Sequence, residues 1–380
     1  MFRMRIRCHY VLSALLLSGS ALTIVACMTP TKSSGVRWDA VVAWEGDGAV
    51  ERIRAGKLLP DDVLPSLIGV DQIGDVILVR MDGGRPRSER IYRHRAELTG
   101  IAFADLDREI PGPEIFVGGF ATGEGRNGVG GAIIRLTPAA GGYRAEFVYR
   151  GPAYVHAIEA AIGPDGRAYG LFAGDYDGAL TLIKPGSPVG PWSATVLCRE
   201  ASDVGLEARK IKDLGVLPAR DGFPEEVVMV FKTGRCSAAD ASRPGAARVL
   251  FEEPGGLSRV TVRGDGGFFV TGYHGRVLDV KRRGTTADVR AIHVEPSDSG
   301  LRGIVLGRFP SEAGMAPYAI HGFMQTVRLL KPAFDACDTT TVFRDIERGH
   351  ALEAADLVPG DGFDEIVVGG YSKRITILSA

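Results

Sequence analysis

The chain has 380 residues, 45% of them hydrophobic, and its 45 lysines and arginines nearly balance 46 acidic residues. That composition supplies a core for one large domain or two ordinary ones, and it excludes both a charge-driven disordered chain and a basic nucleic-acid binder. The 51 glycines, about twice the usual share, follow no Gly-X-Y period, which excludes collagen and points to many short strands joined by tight turns.

Residues 1–26 read as an export signal. Arg3, Arg5 and Arg7 form a positive n-region, and the apolar stretch over 11–25 is shorter than the roughly 20 residues of a membrane span. It ends in Ile24-Val25-Ala26-Cys27, which resembles a bacterial lipobox. That resemblance implies cleavage before Cys27 and lipidation of its thiol and amine. Several acyl chains anchor a protein where a single chain is marginal. Met28 rather than Asp follows the cysteine, so the expected destination is the outer membrane, with residues 27–36 as lipidated cysteine and short tether.

Cleavage removes three arginines and no acid, taking the formal charge from −1 to −4. Nucleic acid is not an expected partner, and the membrane is reached through the lipid anchor only. Cys198, Cys236 and Cys337 remain in an oxidising compartment, where one pair, Cys198 and Cys236 first, is expected to bridge neighbouring loops. No cysteine or histidine cluster in the sequence has metal spacing.

Beyond the tether the chain repeats. The first unit begins at Ser66 (SLIGVDQIGDVILVRM), and related units start at Thr99, His156, Glu207, Leu257, Arg302 and His350. Five second strands end in glycine followed, at once or after one residue, by an aromatic: Phe120, Tyr176, Tyr273, Phe323 and Tyr371. Glycine there is expected to supply positive φ in a hairpin turn, with the aromatic covering the neighbouring blade. The residues heading the second strands are Asp75, Glu114, Tyr169, Glu225, Gly267, Pro317 and Glu365. They recur about every 48 residues, the span of a β-propeller blade.

The expected fold is therefore all-β, a single propeller over 37–380 with seven blades as the leading count and six or eight as alternatives. Short intervals after Asp75 and Glu225 mark the first and fourth blades as abbreviated or irregular. The last unit lacks an outer strand. Residues 38–42 (WDAVV) match the outer-strand pattern of 143–147 and 192–196, so the N-terminal strand is expected to complete that blade and close the ring.

The pattern ADL…DG…DEIVVGG resembles the FG-GAP/VCBS repeat class of extracellular propellers, strongly only over 104–119 and 355–370. Members bind Ca²⁺ in a D-x-D-x-D-G-x-x-D turn. The resemblance thus implies calcium at Asp105, Asp107, Glu109 and Glu114, and again at Asp356, Asp361, Asp364 and Glu365. The first turn has one extra residue before its last carboxylate, and the second has Val358 at a ligand position. Turn capping accounts for the same acids without a metal.

Aligned first strands put Thr99, His156, Glu207, Arg302 and His350 in one column at the mouth of the central channel. HAIEAA over 156–161 and HALEAA over 350–355 make the column chemically unusual. The His and Glu in each are three apart and are expected on opposite faces of the strand. Two long hairpin loops, 121–131 and 233–246, are expected to bring Glu124, Arg126, Asn127, Arg235 and Arg243 to the same face, with Arg95, Arg150, Tyr154, Arg209 and Lys210 on the rim. Cations mixed with aromatics suit an acidic sugar, an anionic ligand or an acidic protein loop.

Three functions fit. The anchor, the propeller and the absence of GxSxG, HExxH or P-loop motifs point first to a non-catalytic binding or scaffold module for an envelope or extracellular protein or an acidic glycan. The alternative is a polysaccharide lyase, with His156 or His350 as base and Arg302 neutralising a uronate. A calcium-stabilised adhesin is the third.

Overall fold

The computed structural model describes residues 32–33, 35–59, 62–186, 191–200, 205–219, 224–283, 286–295, 299–333 and 337–380. The export signal, Cys27 and residues 28–31 of the tether lie outside the described residues. Residues Lys32–Ala380 form one compact unit.

That unit is a seven-bladed propeller, each blade four antiparallel strands, with a short parallel fifth strand added to the edge of one. Blade 1 runs from the axis outward through Val50–Gly56, Ser66–Asp71, Asp75–Asp82 and Arg85–Arg93. Blades 2 to 6 repeat that order. Their inner strands are Leu98–Ala104, Val155–Ile162, Ile211–Leu217, Leu257–Val262 and Leu301–Ser311. Their outer strands are Gly142–Gly151, Ser193–Arg199, Arg248–Glu252, Thr286–Val294 and Cys337–Arg344. Blade 7 takes Gly349–Ala355, Glu365–Gly370 and Arg374–Ser379 from the C terminus and its outer strand, Asp39–Glu45, from the N terminus. Asp39 faces Ser379 and Glu45 faces Arg374, so the ring closes as its sequence predicts. Part of the expected tether is also docked: Lys32–Ser33 pairs in parallel with Thr340 and Thr341 on the edge of blade 6.

Blade 1 is complete, not abbreviated. Its inner strand, VERIRAG, precedes the unit read from Ser66, and Asp75 heads the third strand rather than the second. The strand escapes an alternation test because Glu51, Arg52 and Arg54 occupy it, and two of these are buried at the axis.

Between blades, apolar faces interdigitate. Phe172, Leu214, Met229 and Phe231 fill the space between blades 3 and 4. Val228, Val230, Phe268 and Val270 do so between blades 4 and 5. These two cores also settle the cysteines. Cys198 belongs to the first, with its Sγ 3.9 Å from Met229 Sδ, and Cys236 belongs to the second. The sheet of blade 4 therefore separates them, and the expected disulfide is replaced by free thiols at Cys198, Cys236 and Cys337.

The glycine before each aromatic has a different cause from the one anticipated. The positive φ angles of these turns fall a few residues later, at Gly74, Gly178, Gly234, Gly275, Gln325 and Lys373. Gly119 is required because a Cβ would lie 2.1 Å from the Glu97 carbonyl oxygen, and Gly370 because one would lie 2.4 Å from that of Arg348. These close approaches pack the end of the second strand against the segment leading into the inner strand.

Removing residues 32–45 leaves the edge of Arg374–Ser379 unpaired. We expect this truncation to cost about 3 kcal/mol or more, the scale of a large core deletion, and to promote self-association. Melting curves and size-exclusion chromatography check it; an unchanged, monomeric melt would show that the ring does not depend on this strand.

Candidate functional site

All seven inner strands share a register shift across their second residue, between Val50 and Arg52, Leu98 and Gly100, Val155 and Ala157, Ile211 and Asp213, Leu257 and Arg259, Leu301 and Gly303, and Gly349 and Ala351. The bulged residues are Glu51, Thr99, His156, Lys212, Ser258, Arg302 and His350. A bulge re-aims side chains and breaks alternation. It lets Glu51 and Arg52, consecutive in sequence, both reach the channel, and likewise His156 and Glu159, three apart. The expectation that His and Glu point to opposite faces is corrected by this irregularity.

Thr99, His156, Arg302 and His350 thus belong to one ring, as predicted. Glu207 does not. It lies in the helical turn Leu206–Arg209 ahead of the strand, and Lys212 holds the fourth position. Glu51 and Ser258 were missed. The signature that finds them is an apolar residue at strand positions one and four, as in Val50 and Ile53 or Ile211 and Leu214, rather than strict alternation.

A second ring surrounds the first. The backbone N–H groups of Gln72, Phe120, Tyr176, Lys232, Tyr273, Phe323 and Tyr371 donate to the carbonyls of Ala49, Glu97, Tyr154, Lys210, Gly256, Gly300 and Arg348 respectively. Each aromatic of this ring meets a group at the start of the next blade or across the mouth. Phe120 stacks on Tyr154 at 4.0 Å, Tyr176 receives Lys210 at 4.6 Å, Phe323 receives Arg348 at 5.3 Å, and Tyr371 receives Arg126 at 6.0 Å. Covering of the neighbouring blade by the aromatic is therefore observed.

At the axis the charges are settled mostly in pairs. Arg52 crosses from blade 1 to Asp213 of blade 4 at 2.7 Å, and Arg54 pairs with Glu159. Below this level a cavity of about 480 Å³ is lined by Arg54, Glu159, Glu353 and Thr261 among others. On the mouth side, His350 Nδ1 lies 3.0 Å from Glu51 Oε2, and Gln72 Nε2 donates to Glu51 Oε1. Arg126, from the long blade 2 loop, joins Glu51 and Glu97, each at 3.2 Å. Burial opposes ionisation of Glu51, but His350, Gln72 and Arg126 together hold its carboxyl well below the usual range. Burial pushes His350 down to about 4, so at neutral pH it is an uncharged ring donating its N–H to Glu51. Lys212 Nζ is 2.9 Å from His156 Nε2 and 3.0 Å from the Tyr176 hydroxyl. Burial, reinforced by Arg302 and Arg259, pushes the Lys212 ammonium well below its ordinary value; burial and Lys212 do the same to His156. Neither histidine bonds to the other.

The rim residues divide. Tyr154 donates its hydroxyl to Glu97 at 3.0 Å, and Lys210 covers Tyr176, both at the mouth. Glu124 and Asn127 close the turn of the blade 2 loop beside Arg126, and Arg95 accepts a backbone bond from Gly125 in the same loop. Arg150 lies 3.8 Å over Phe147 on an outer strand, away from the axis, and Arg209 is tied to Asp177 at 3.3 Å. The segment 233–246 is not one loop. It contains the third strand of blade 4, Arg235–Asp240, so Arg235 pairs with Glu252 of its own blade and with Glu200 at the end of blade 3, and Arg243 pairs with Asp240 at the opposite end of the propeller.

The two acidic turns do not fit calcium. Glu114 accepts the Leu106 N–H with one oxygen, and Arg135 Nη1 lies 3.3 Å from the other and 3.5 Å from Asp107. Asp107 also accepts the Glu109 N–H, and Asp105 is exposed. In the second turn Glu365 accepts the N–H groups of Leu357 and Val358, Asp361 accepts that of Phe363, and Arg308 meets Asp364 and Asp356. A guanidinium stands among the carboxylates in both. Among the described residues no group of three or more His, Cys, Asp or Glu is placed to hold a metal ion.

The sequence matches no family model and no curated protein. Solved structures share the fold. The WD40 β-propeller domain of Doa1 superposes with a TM-score of 0.63 at 16% identity, over 91% of this chain and 97% of that one. The Myceliophteria thermophila Cps50 (Swd1) β-propeller domain gives 0.61 at 11% identity, over 90% and 100%. YCF48 bound to D1 peptide gives 0.58 at 11%, over 92% and 98%. At these identities the likeness concerns the propeller alone.

Glu97 provides a pH test of the mouth. Burial and Glu51 push its carboxyl up to about 7, against the pull of Arg126, Tyr154 and Lys212. An acid whose folded value is raised stabilises below its unfolded value and loses that contribution as pH rises to the folded one. Between pH 5 and 8 the stability of Glu97→Gln relative to wild type should therefore improve by about 2 kcal/mol. Denaturant melts at both pH values measure it; a pH-independent difference would mean that Glu97 titrates normally.

Proposed function

We propose that this chain is a non-catalytic binding module that docks a protein partner on the mouth face of its propeller, carried on a lipidated envelope tether. The observation that supports the face is the collar of Phe120, Tyr154, Tyr176, Tyr273, Phe323 and Tyr371 interleaved with Lys210, Arg126 and Arg348. Aromatic and arginine side chains are the groups that dominate protein interfaces. Around the collar, Val129, Val294 and Ile346 are 71%, 61% and 64% exposed at mouth-side strand ends and turns. YCF48, of the same fold, is a structure with a bound peptide. The FG-GAP/VCBS likeness of 104–119 and 355–370 agrees with an extracellular binding propeller. The lyase alternative finds less support, since His350 is bonded to Glu51 and His156 to Lys212.

A photocrosslinking residue at Ile346 of the full chain should trap a discrete partner in cells, whereas one at Val289 on the outer wall should not. Replacing Tyr371 and Arg348 by Ala should weaken that partner at least about 30-fold, the effect of losing interface anchors. Equal trapping from both positions would remove the mouth assignment.

Anchorage is tested separately. Metabolic labelling with palmitate should mark the wild type, and Cys27→Ser should abolish the label and release the protein from membranes. Labelling that persists in the variant would overturn lipidation at Cys27.

A further inference from the structure

Among the described residues three buried basic side chains at the axis have no carboxylate within ion-pair distance: Arg259, which donates to the backbone carbonyls of Lys212 and Glu51, and, at the floor of the collar, Arg302 and Lys212. Arg302 is 8% exposed and Lys212 7% exposed. Arg302 donates from Nη1 to Ser258 Oγ at 3.1 Å and to the Tyr273 hydroxyl at 2.9 Å, and its guanidinium lies 4.5 Å from the Tyr273 ring centre and 4.4 Å from that of Phe323. Among the described residues Lys212 Nζ meets the His156 ring and Tyr176. Among the described residues no carboxylate lies within ion-pair distance of either, in contrast to Arg52, Arg54 and Arg126, each of which has one. The acid facing Lys212, Glu51, is already engaged by His350, Gln72 and Arg126.

A buried charge without a partner is costly, and removing one member of a buried pair is strongly destabilising for that reason. Two polar atoms here are also left without any bond, Arg302 Nε and His156 Nδ1, the latter on a residue 3% exposed. The cations come close enough to disfavour one another, since Arg302 is among the groups that depress the Lys212 ammonium. Tyr273 and Phe323 pack against the Arg302 guanidinium from two directions, their ring centres 6.3 Å apart, and its unsatisfied Nε–H lies in the guanidinium plane, the geometry that suits the in-plane oxygens of a carboxylate.

We propose that Arg302, Lys212 and His156 form an anion site at the floor of the mouth that takes one carboxylate, supplied by an acidic side chain or the C terminus of the docked protein segment. The site rests on the docking reading only for the source of the carboxylate. Ser258 and Tyr273 position Arg302, and the collar excludes water above it.

Thermal melts of Lys32–Ala380, which close their own core, test the site with sodium acetate and N-acetyl-aspartate against sodium chloride at equal ionic strength. At ten times its dissociation constant a ligand of the native state should raise the melting temperature by about 2 °C. Arg302→Gln and Lys212→Met should melt no lower than wild type in chloride, because the first removes an uncompensated charge and the second a desolvated amine, and both should lose the carboxylate response. Tyr273→Phe, which keeps the packing, should weaken that response. No rise in wild type, or equal rises in the variants, would overturn the site. Stabilisation by phosphate but not by carboxylates would overturn the carboxylate assignment, and glucuronate exceeding N-acetyl-aspartate would overturn the peptide source. Crosslinking from Ile346 without an acetate response would leave docking standing and remove the anion site; the reverse pattern would remove docking alone.

Discussion

Seven inner strands converge on one axis, and each reaches it through a bulge at its second residue. The space they share is narrow, and in blades 1, 4 and 5 the residue after the bulge, Arg52, Asp213 or Arg259, also turns its side chain toward it. Apolar residues are thereby kept for the interblade faces, at strand positions one and four. Polar side chains fill the axis because they alone can bond to the carbonyls that the bulges turn inward, as Arg52 does to Thr99 and Arg259 does to Lys212 and Glu51. The glycines ahead of the aromatics answer to the same geometry, since the second strand must end against the carbonyl that precedes each bulge.

The acidic turns at the opposite end meet a related problem with backbone N–H groups and arginines. Glu114 and Glu365, at the heads of second strands, each accept backbone N–H groups from the turn they close. Their remaining charge is met by an arginine from the same blade in one case, while in the other Arg308 of the adjacent blade meets the neighbouring aspartates. In both turns a covalently attached cation stands where the carboxylates converge.

Architecture was legible in the sequence because it is written in turns and alternating strands, which repeat. The spacing of second strands, the Gly-aromatic ends and the missing outer strand of blade 7 led to a closed seven-bladed ring. The inner strand of blade 1 was not legible, because Glu51, Arg52 and Arg54 disguise it as a polar linker. Aligning the repeats puts Glu207 in the place of Lys212, because the four-residue helix before blade 4 displaces the alignment by about one turn. Cys198 and Cys236 suggested a bridge by proximity in the chain, and only the placement of a whole sheet between them removes it. The bulges themselves have no alternation signature, so which side chains meet at the axis required the fold.

Around Arg302 and Arg348 the mouth is organised by cation–π contacts, whereas Arg126 is paired with Glu51 and Glu97, and that difference has a consequence. A carboxylate partner would neutralise an arginine and occupy its in-plane donors, whereas a ring engages the guanidinium face and leaves the charge and the edge in place. Arg302 between Tyr273 and Phe323, and Arg348 over Phe323 and Tyr371, are held in position without being neutralised. Binding then costs little side-chain entropy, because the long cations are already ordered by the rings. Lys212 is held by the same logic between His156 and Tyr176, but with its charge suppressed by burial. An arriving anion would favour its protonated form, so the stabilisation that the empty floor forgoes is available to a ligand carrying the opposite charge.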